Sequence, residues 1–208
     1  MIGAHGVAER RPYSIASSPE RTQETGALEV LIAVDAAGDA GPHLPRPWPG
    51  MRVEVEGPFG SFVFPATFDQ DRVLFVAGGT GIAPLRSMAD HLLRATRTCQ
   101  VSLLYSARAR DEFAFIEEFR EHAAMRRLEL HQTVTREEGA AWTGGRGRIG
   151  HSHFEAVLHE PSATLCFVCG PPALVSESVA TLRSLGVPAD LIRTETWERR
   201  ASERADAS

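Results

Sequence analysis

Phe75–Met88 reads FVAGGTGIAPLRSM. An apolar run ends at Ala77, the glycine-rich turn Gly78-Gly79-Thr80-Gly81 follows, and a helix is expected from about Ala83. Glycines let backbone N–H groups approach a ligand with no Cβ in the way. A helix N-terminus adds unpaired donors and a dipole that favours a pyrophosphate. Pro84 suits the first helical turn, where its missing N–H costs nothing. The turn departs from the usual dinucleotide fingerprint, with Pro84 where a third glycine would stand. A glycine turn can join any strand to any helix. What points to a ligand is its place after the first strand of an α/β unit, since such strands bind ligands at their carboxyl ends.

Outward from this turn the chain alternates strand and helix. RVLFVAG is a continuous apolar run, and QVSLLYS, LELHQTV, ATLCFVCG and LIRTETW read as further strands. Leu85, Met88, Ala89, Leu92 and Leu93 share one helical face; Phe115, Phe119, His122 and Ala123 suit a second helix, and Val175, Val179 and Leu182 a third. Alternation of this kind predicts a five-stranded parallel sheet with helices on both faces. Upstream the rhythm differs. Ala27–Val34 and Met51–Gly57 alternate with period two around a loop dense in glycine and proline, so this half reads as antiparallel β. The expected organisation is a β domain over 1–68, an α/β domain over 69–197 and a disordered charged tail over 198–208.

A formal net charge of −5 argues against a nucleic-acid partner. All 22 basic residues are Arg, which removes lysine chemistry. Cys99, Cys166 and Cys169 are too few for a four-thiolate cluster. The C-x-x-C formed by Cys166 and Cys169 lies inside an apolar strand, which suits one inward thiol and one at the strand end better than a redox pair. His151 and His153 have no Cys or carboxylate cluster beside them and read as surface. No signal peptide and no apolar run of membrane-spanning length is evident, so the expected location is cytoplasmic, with no membrane.

Arginines gather where the strands end. Ser106, Arg108 and Arg110 follow the second parallel strand, Arg136 the third, and Arg146 and Arg148 stand in GGRGRIG. Guanidinium groups there suit a 2′-phosphate, which favours NADP over NAD. The alternative is solvated arginine in a chain whose only basic side chain is Arg.

Taken together these pieces resemble the ferredoxin–NADP reductase superfamily of flavin-dependent electron-transfer enzymes. The likeness rests on Arg11-Pro12-Tyr13-Ser14, Gly57-Pro58-Phe59-Gly60, Gly78–Pro84, Tyr105-Ser106-Ala107-Arg108, Thr135-Arg136-Glu137, Trp142-Thr143-Gly144, Cys169-Gly170-Pro171-Pro172 and Glu195-Thr196-Trp197. The resemblance implies a flavin barrel before the nucleotide domain. It implies that Arg11 binds flavin phosphate, Tyr13 stacks near the isoalloxazine, Ser14 bonds at its reactive edge, and Pro12, Gly57 and Pro58 belong to the flavin-binding motifs. Gly78, Gly79, Thr80, Gly81 and Pro84 would hold the nicotinamide nucleotide, joined by Gly170 and Pro171. Ser106, Arg108, Arg136 and Arg148 would serve its phosphates. Cys169 would lie near the hydride-donating carbon, Glu195 would support the ring region, and Trp197 would cover the flavin. The expected catalytic set is thus Ser14, Cys169, Glu195 and Trp197, with FAD and NADP (or NAD) as cofactors and a ferredoxin-like protein or oxygenase component as electron acceptor.

Two departures qualify the likeness. The family's Ser-bearing phosphate loop is replaced by GDAGPHLPRPWPG, in which His43 and Arg46 could substitute, although a loop histidine is ordinarily solvated. The family's first barrel strands have no counterpart ahead of Arg11, so the expected fold is a partial, N-terminally truncated antiparallel barrel with Met1 at an internal position. Two other readings stay open: a nucleotide-binding subunit or sensor without flavin catalysis, and a reductase of free flavin. The acidic face of DEFAFIEEFREH reads as solvated, with Glu117 and Glu118 available to a partner.

Overall fold

The computed structural model describes residues 1–35, 37–95, 99–137 and 142–197. The tail expected over 198–208 lies outside the described residues.

The α/β half is built on one parallel sheet. Its strands are β3 (Arg72–Gly78), β4 (Gln100–Ala107), β5 (Glu129–Val134), β6 (Gly145–Arg146), β7 (Thr164–Gly170) and β8 (Ile192–Thr196), in spatial order β6-β5-β4-β3-β7-β8. The five expected stretches are all strands; the two-residue β6 adds a sixth beside Thr133 and Val134. β7 is buried at every position, as its unbroken apolar sequence requires. Helix α2 (Ile82–Arg94) and α3 (Ile116–Ala124) cover one face over Phe75, Tyr105 and Phe167; α4 (His151–Val157) and α5 (Pro172–Ser184) cover the other over Leu74, Leu104 and Val168. The chain runs outward from β3 to β6, then crosses back to β7. Strand order therefore reverses between β3 and β7, which is where open α/β sheets bind ligands.

The N-terminal half has less regular structure. β1 (Ile2–Ala4) pairs antiparallel with β2 (Val53–Val55), Ile2 opposite Val55, and Ile2 also bridges Arg11. The strand expected over Ala27–Val34 is reduced to one bridge, Ile15 to Val30. Its partner segment cannot extend the ladder. Pro12 has no N–H to give, and the Glu29 N–H donates instead to the Ser17 hydroxyl at 3.1 Å. Ser18 then caps a helix absent from the all-β reading, α1 (Pro19–Thr25), by accepting from the Arg21 N–H at 3.1 Å; Pro19 opens it, and Gly26 closes it at φ 67°.

Apolar and polar contacts join the halves. Phe62 and Phe64, on the segment after β2, pack on Phe167 of β7 with ring centroids 5.9 and 5.4 Å away. Around Arg86, polar contacts tie residues 16–29 to α2 and α3.

Candidate functional site

The site starts from the backbone of the glycine turn. Gly79–Gly81 forms a single 3-10 turn that leads straight into α2. Gly79 has φ 54°, a left-handed conformation that glycine adopts at no cost. Gly81 has an ordinary φ of −60°, and its need is for space. A Cβ there would lie 2.3 Å from the Cys169 carbonyl oxygen and 2.9 Å from the Gly170 nitrogen. Gly170 and Gly78 meet across the switch point in the same way, a Cβ on Gly170 falling 3.2 Å from the Gly78 Cα. Tyr105, wholly buried in β4, braces the turn from below: its hydroxyl donates to the Gly79 carbonyl at 3.2 Å and accepts from the Ala114 N–H at 3.2 Å.

Strand register brings side chains to this floor. Cys169 stands beside Ala77 on β3 and beside Glu195 on β8. Its thiol donates to Glu195 Oε2 at 3.8 Å, and the Ser14 hydroxyl donates to the same oxygen at 3.2 Å. Two residues expected to act with Glu195, one of them 181 positions away from it in sequence, thus converge on a single oxygen of its carboxylate. Burial, then the charge of Glu195, pushes the Cys169 thiol well above the ordinary cysteine range. It is therefore a neutral S–H at physiological pH, and a poor nucleophile. Burial raises Cys166 to about 12, and its side chain packs on the opposite face of the sheet, so the C-x-x-C behaves as two separate structural thiols.

Trp197 follows β8. Its N–H donates to the Gly170 carbonyl at 3.2 Å, and its ring lies 3.7 Å from where a Gly79 side chain would begin. Its indole Nε1 is buried with no hydrogen-bond partner among the described residues. An orphan donor over a glycine cradle fits a bound polar group better than a purely structural aromatic.

Tyr13 and Arg11 sit beside the glycine- and proline-rich loop. The Tyr13 hydroxyl is 2.6 Å from His43 Nε2, and the two rings stack at 5.7 Å. His43 is completely buried, which corrects the expectation of a solvated loop histidine: its hydrogen-bond partner comes from thirty residues upstream, and the Tyr13 ring stacks on it. The Arg11 guanidinium packs over Gly41 of the same loop and pairs with Glu9 at 3.3 Å. Pro12 is exposed, as are Gly57 and Pro58 on the loop after β2; the hydrogen bonds that gather the cluster do not include them. Arg46 is exposed.

At the far strand ends, Ser106 is buried opposite Gly78. Arg108 and Arg136 are neighbours, the Arg136 N–H donating to the Arg108 carbonyl at 2.8 Å. Arg148 is exposed in the turn after β6. The side chains of Arg108, Arg136 and Arg148 make no hydrogen bond or ion pair among the described residues. Glu137, an acid beside them, is engaged: it accepts from the Arg110 N–H at 2.7 Å. Glu118 is not a free surface acid. It receives Arg86 at 2.8 Å and Arg21 at 2.9 Å, because two distant segments converge on α3.

The residues present fit the implied groups to different extents. The crowded glycines and the orphan indole suit a nicotinamide nucleotide. For a flavin, Ser14, Tyr13 and Arg11 lie together beside the nucleotide floor, while Arg11 already has Glu9 as a partner. A cleft of about 560 Å³ between α2 and α3 lies away from this floor, and its lining mixes Arg21, Arg94 and Arg127 with Asp90, Glu118 and Glu121. Among the described residues no group of three or more His, Cys, Asp and Glu is placed to hold a metal, and no helix is long and apolar enough to cross a membrane.

Comparison with known proteins agrees with this geometry. The family model described as the oxidoreductase NAD-binding domain matches residues 75–179. One component of the Na(+)-translocating NADH-quinone reductase of Actinobacillus pleuropneumoniae is 31% identical over 85% of this chain, which covers 46% of that protein. The chain thus spans about half the length of the curated relatives it matches. Among solved structures, the Amycolatopsis cytochrome P450 reductase GcoB superposes with a TM-score of 0.76 at 24% identity, over 94% of this chain and 58% of that one. The ferredoxin reductase of carbazole 1,9a-dioxygenase gives 0.76 at 25% identity, over 95% and 58%.

Proposed function

This chain belongs to the oxidoreductase NAD-binding domain family, and we propose from that premise that it moves electrons between NAD(P)H and a one-electron acceptor by way of FAD. The observation that carries the reading is the convergence of Ser14, Cys169 and Glu195 beside a glycine turn covered by Trp197. The chemistry a flavin supplies when bound is uptake of an electron pair and release of single electrons. The protein's own residues bind, orient and keep out water. The turn Gly78–Gly81 offers N–H groups and the start of α2 to a pyrophosphate. Glu195 accepts from both Ser14 and Cys169, which holds the Ser14 hydroxyl and the S–H beside one another next to the glycine turn. Trp197 shields the turn from solvent. Tyr13, braced by His43, presents a stacking surface on the other side.

The nucleotide we propose is NADP. Three guanidinium groups with no protein partner among the described residues stand at adjacent strand ends, and Glu137, next to Arg136 in sequence, is held by Arg110. That arrangement favours a 2′-phosphate over a bare ribose hydroxyl pair. The relative from Actinobacillus carries NADH in its name, so the preference is a specific claim about Arg108, Arg136 and Arg148. The acceptor we propose is a ferredoxin-like protein or an oxygenase component, in keeping with reductases of that kind among the structural neighbours. Titration of the protein with FAD and FMN, followed by flavin fluorescence, tests the reading. Saturable binding of FAD, and anaerobic bleaching of its absorption by NADPH, are expected. A protein that takes up neither flavin, yet binds NADPH, would favour the alternative of a nucleotide-binding subunit; turnover of free flavin without any bound would favour a flavin reductase.

A further inference from the structure

We propose that α2 is a strut between the two cofactor segments and that Arg86 is its positioning residue, setting where the Tyr13–Ser14 segment stands relative to the glycine turn. The inference rests on the proposed function for what each end holds. One end of α2 continues directly from Gly81. Its lateral face, at Arg86, Ser87, Asp90 and Arg94, is bonded to the residues that follow Ser14. Arg86 Nη1 donates to the Ala16 carbonyl at 3.1 Å. The Ser87 hydroxyl donates to the Ser17 carbonyl at 2.9 Å, and the Ser18 hydroxyl to Asp90 Oδ2 at 2.6 Å. Arg21 adds a bond to Asp90 at 3.2 Å.

Ala16, Ser17 and Ser18 are all but completely buried, so their carbonyls need partners from the protein. Arg86 is itself 4% exposed. Its guanidinium is held on its other sides: Nε and Nη2 donate to Glu118 at 2.9 and 2.8 Å, Nη1 pairs with Glu29, and Phe115 lies under it at 4.2 Å. A side chain gripped on several sides transmits position rather than yielding. Arg86 stands five positions beyond Gly81, a helical rise of about 7.5 Å, and Ala16 stands two positions beyond Ser14. A shift of the turn on nucleotide binding is therefore carried to Ser14 through a rigid element and a short stretch of extended chain. Coupling of this kind is reciprocal: whatever orders one end favours the other.

Hydrogen–deuterium exchange on the full chain without flavin, with and without saturating NADP, tests the strut. In the unmodified protein the nucleotide is expected to slow exchange both at residues 78–84 and at residues 15–18. In R86M the response at 78–84 remains and that at 15–18 is lost. R86K, which reaches Ala16 but cannot form the planar fork on Glu118, is expected to restore part of it. A response at 15–18 that persists in folded R86M overturns the proposal, as does no response there in the unmodified protein. If R86M does not fold, S87A carries the same readout: a reduced response supports the strut and an unchanged one refutes it. With FAD added, R86M is expected to bleach at least about tenfold more slowly at saturating NADPH, while its nucleotide Kd stays within about twofold; a loss confined to Kd contradicts a positioning role. If no flavin binds at all, the proposed function fails, and the exchange experiment still decides the strut.

Discussion

Gly81→Ala is the sharpest probe of how the turn is built. The substitution changes one hydrogen to a methyl at a residue whose φ of −60° any amino acid accepts, so backbone strain is not the issue. On helix propensity alone alanine would be favoured by about 0.5–1 kcal/mol. Space decides against it. The new Cβ would sit 2.3 Å from the Cys169 carbonyl oxygen and 2.6 Å from its carbon, both backbone atoms of the buried β7. Ordinary contact there needs roughly another 1 Å, and neither partner has a flexible side chain to move aside. Overpacking of this severity costs about 3 kcal/mol, which in a chain of this size lowers Tm by about 6–12 °C. The same displacement moves Cys169 and the turn apart, and misplacement of about 1 Å costs on the order of 100-fold in rate. Gly79→Ala is the internal control for stability alone, since Gly79 belongs to the turn proposed to hold the nucleotide. Its Cβ meets only the Trp197 ring at 3.7 Å, so it carries just the left-handed penalty of about 1–2 kcal/mol. Thermal unfolding followed by circular dichroism, with NADPH binding measured by calorimetry, compares the two. A G81A protein as stable as the unmodified one, with unchanged NADPH affinity, would refute the close-packed floor on which the site is argued.

Three further outcomes follow from the same geometry. R108A and R136A should each raise the NADPH KM by about tenfold or more, the worth of one charge-assisted hydrogen bond, and leave NADH kinetics nearly unchanged; equal losses for both nucleotides in steady-state assays would remove the 2′-phosphate assignment. Iodoacetamide at neutral pH should leave Cys166 and Cys169 unmodified in the native protein and label both after denaturation, counted by mass spectrometry, because burial holds both thiols protonated. Asp90 is held down to about 2: burial opposes its charge, but hydrogen bonds from Arg21, Ser18 and Arg94 outweigh that. A depressed carboxylate contributes stability above its unfolded pKa of about 3.9 and loses it as pH falls through the folded value. Unfolding titrations should therefore show on the order of 2 kcal/mol disappearing between about pH 4 and pH 2, a slope that D90N should flatten.

The sequence makes some of this architecture plain and hides the rest, for physical reasons. β3 and β7 are buried on both faces, so their apolar runs announce them. The glycine turn is visible because side chains have no room there, and that constraint leaves a written trace. Helix α1 left signals too, Ser18 as cap, Pro19 at its start and Gly26 at its end, but seven residues make too short a pattern beside the surrounding β rhythm. Other features have no local trace. Glu118 lies on a helix face that reads as solvated; Arg86, 32 residues away, and Arg21, 97 residues away, make it an ion-paired, half-buried acid. His43 is buried because Tyr13 reaches it across the fold. The meeting of Ser14 with Glu195 could be expected only from family resemblance, since no periodicity relates residues on opposite halves of the chain.

The most direct test of the central claim, that nicotinamide and flavin meet over Glu195, is anaerobic stopped-flow reduction of the FAD-loaded protein with NADPH deuterated on one or the other face of the nicotinamide C4. Bleaching that slows with deuterium on one face and ignores it on the other is the predicted result, and E195Q should slow the bleaching further while NADPH still binds. A protein whose FAD bleaches equally fast with either label, or does not bleach at all while both cofactors are bound, contradicts it.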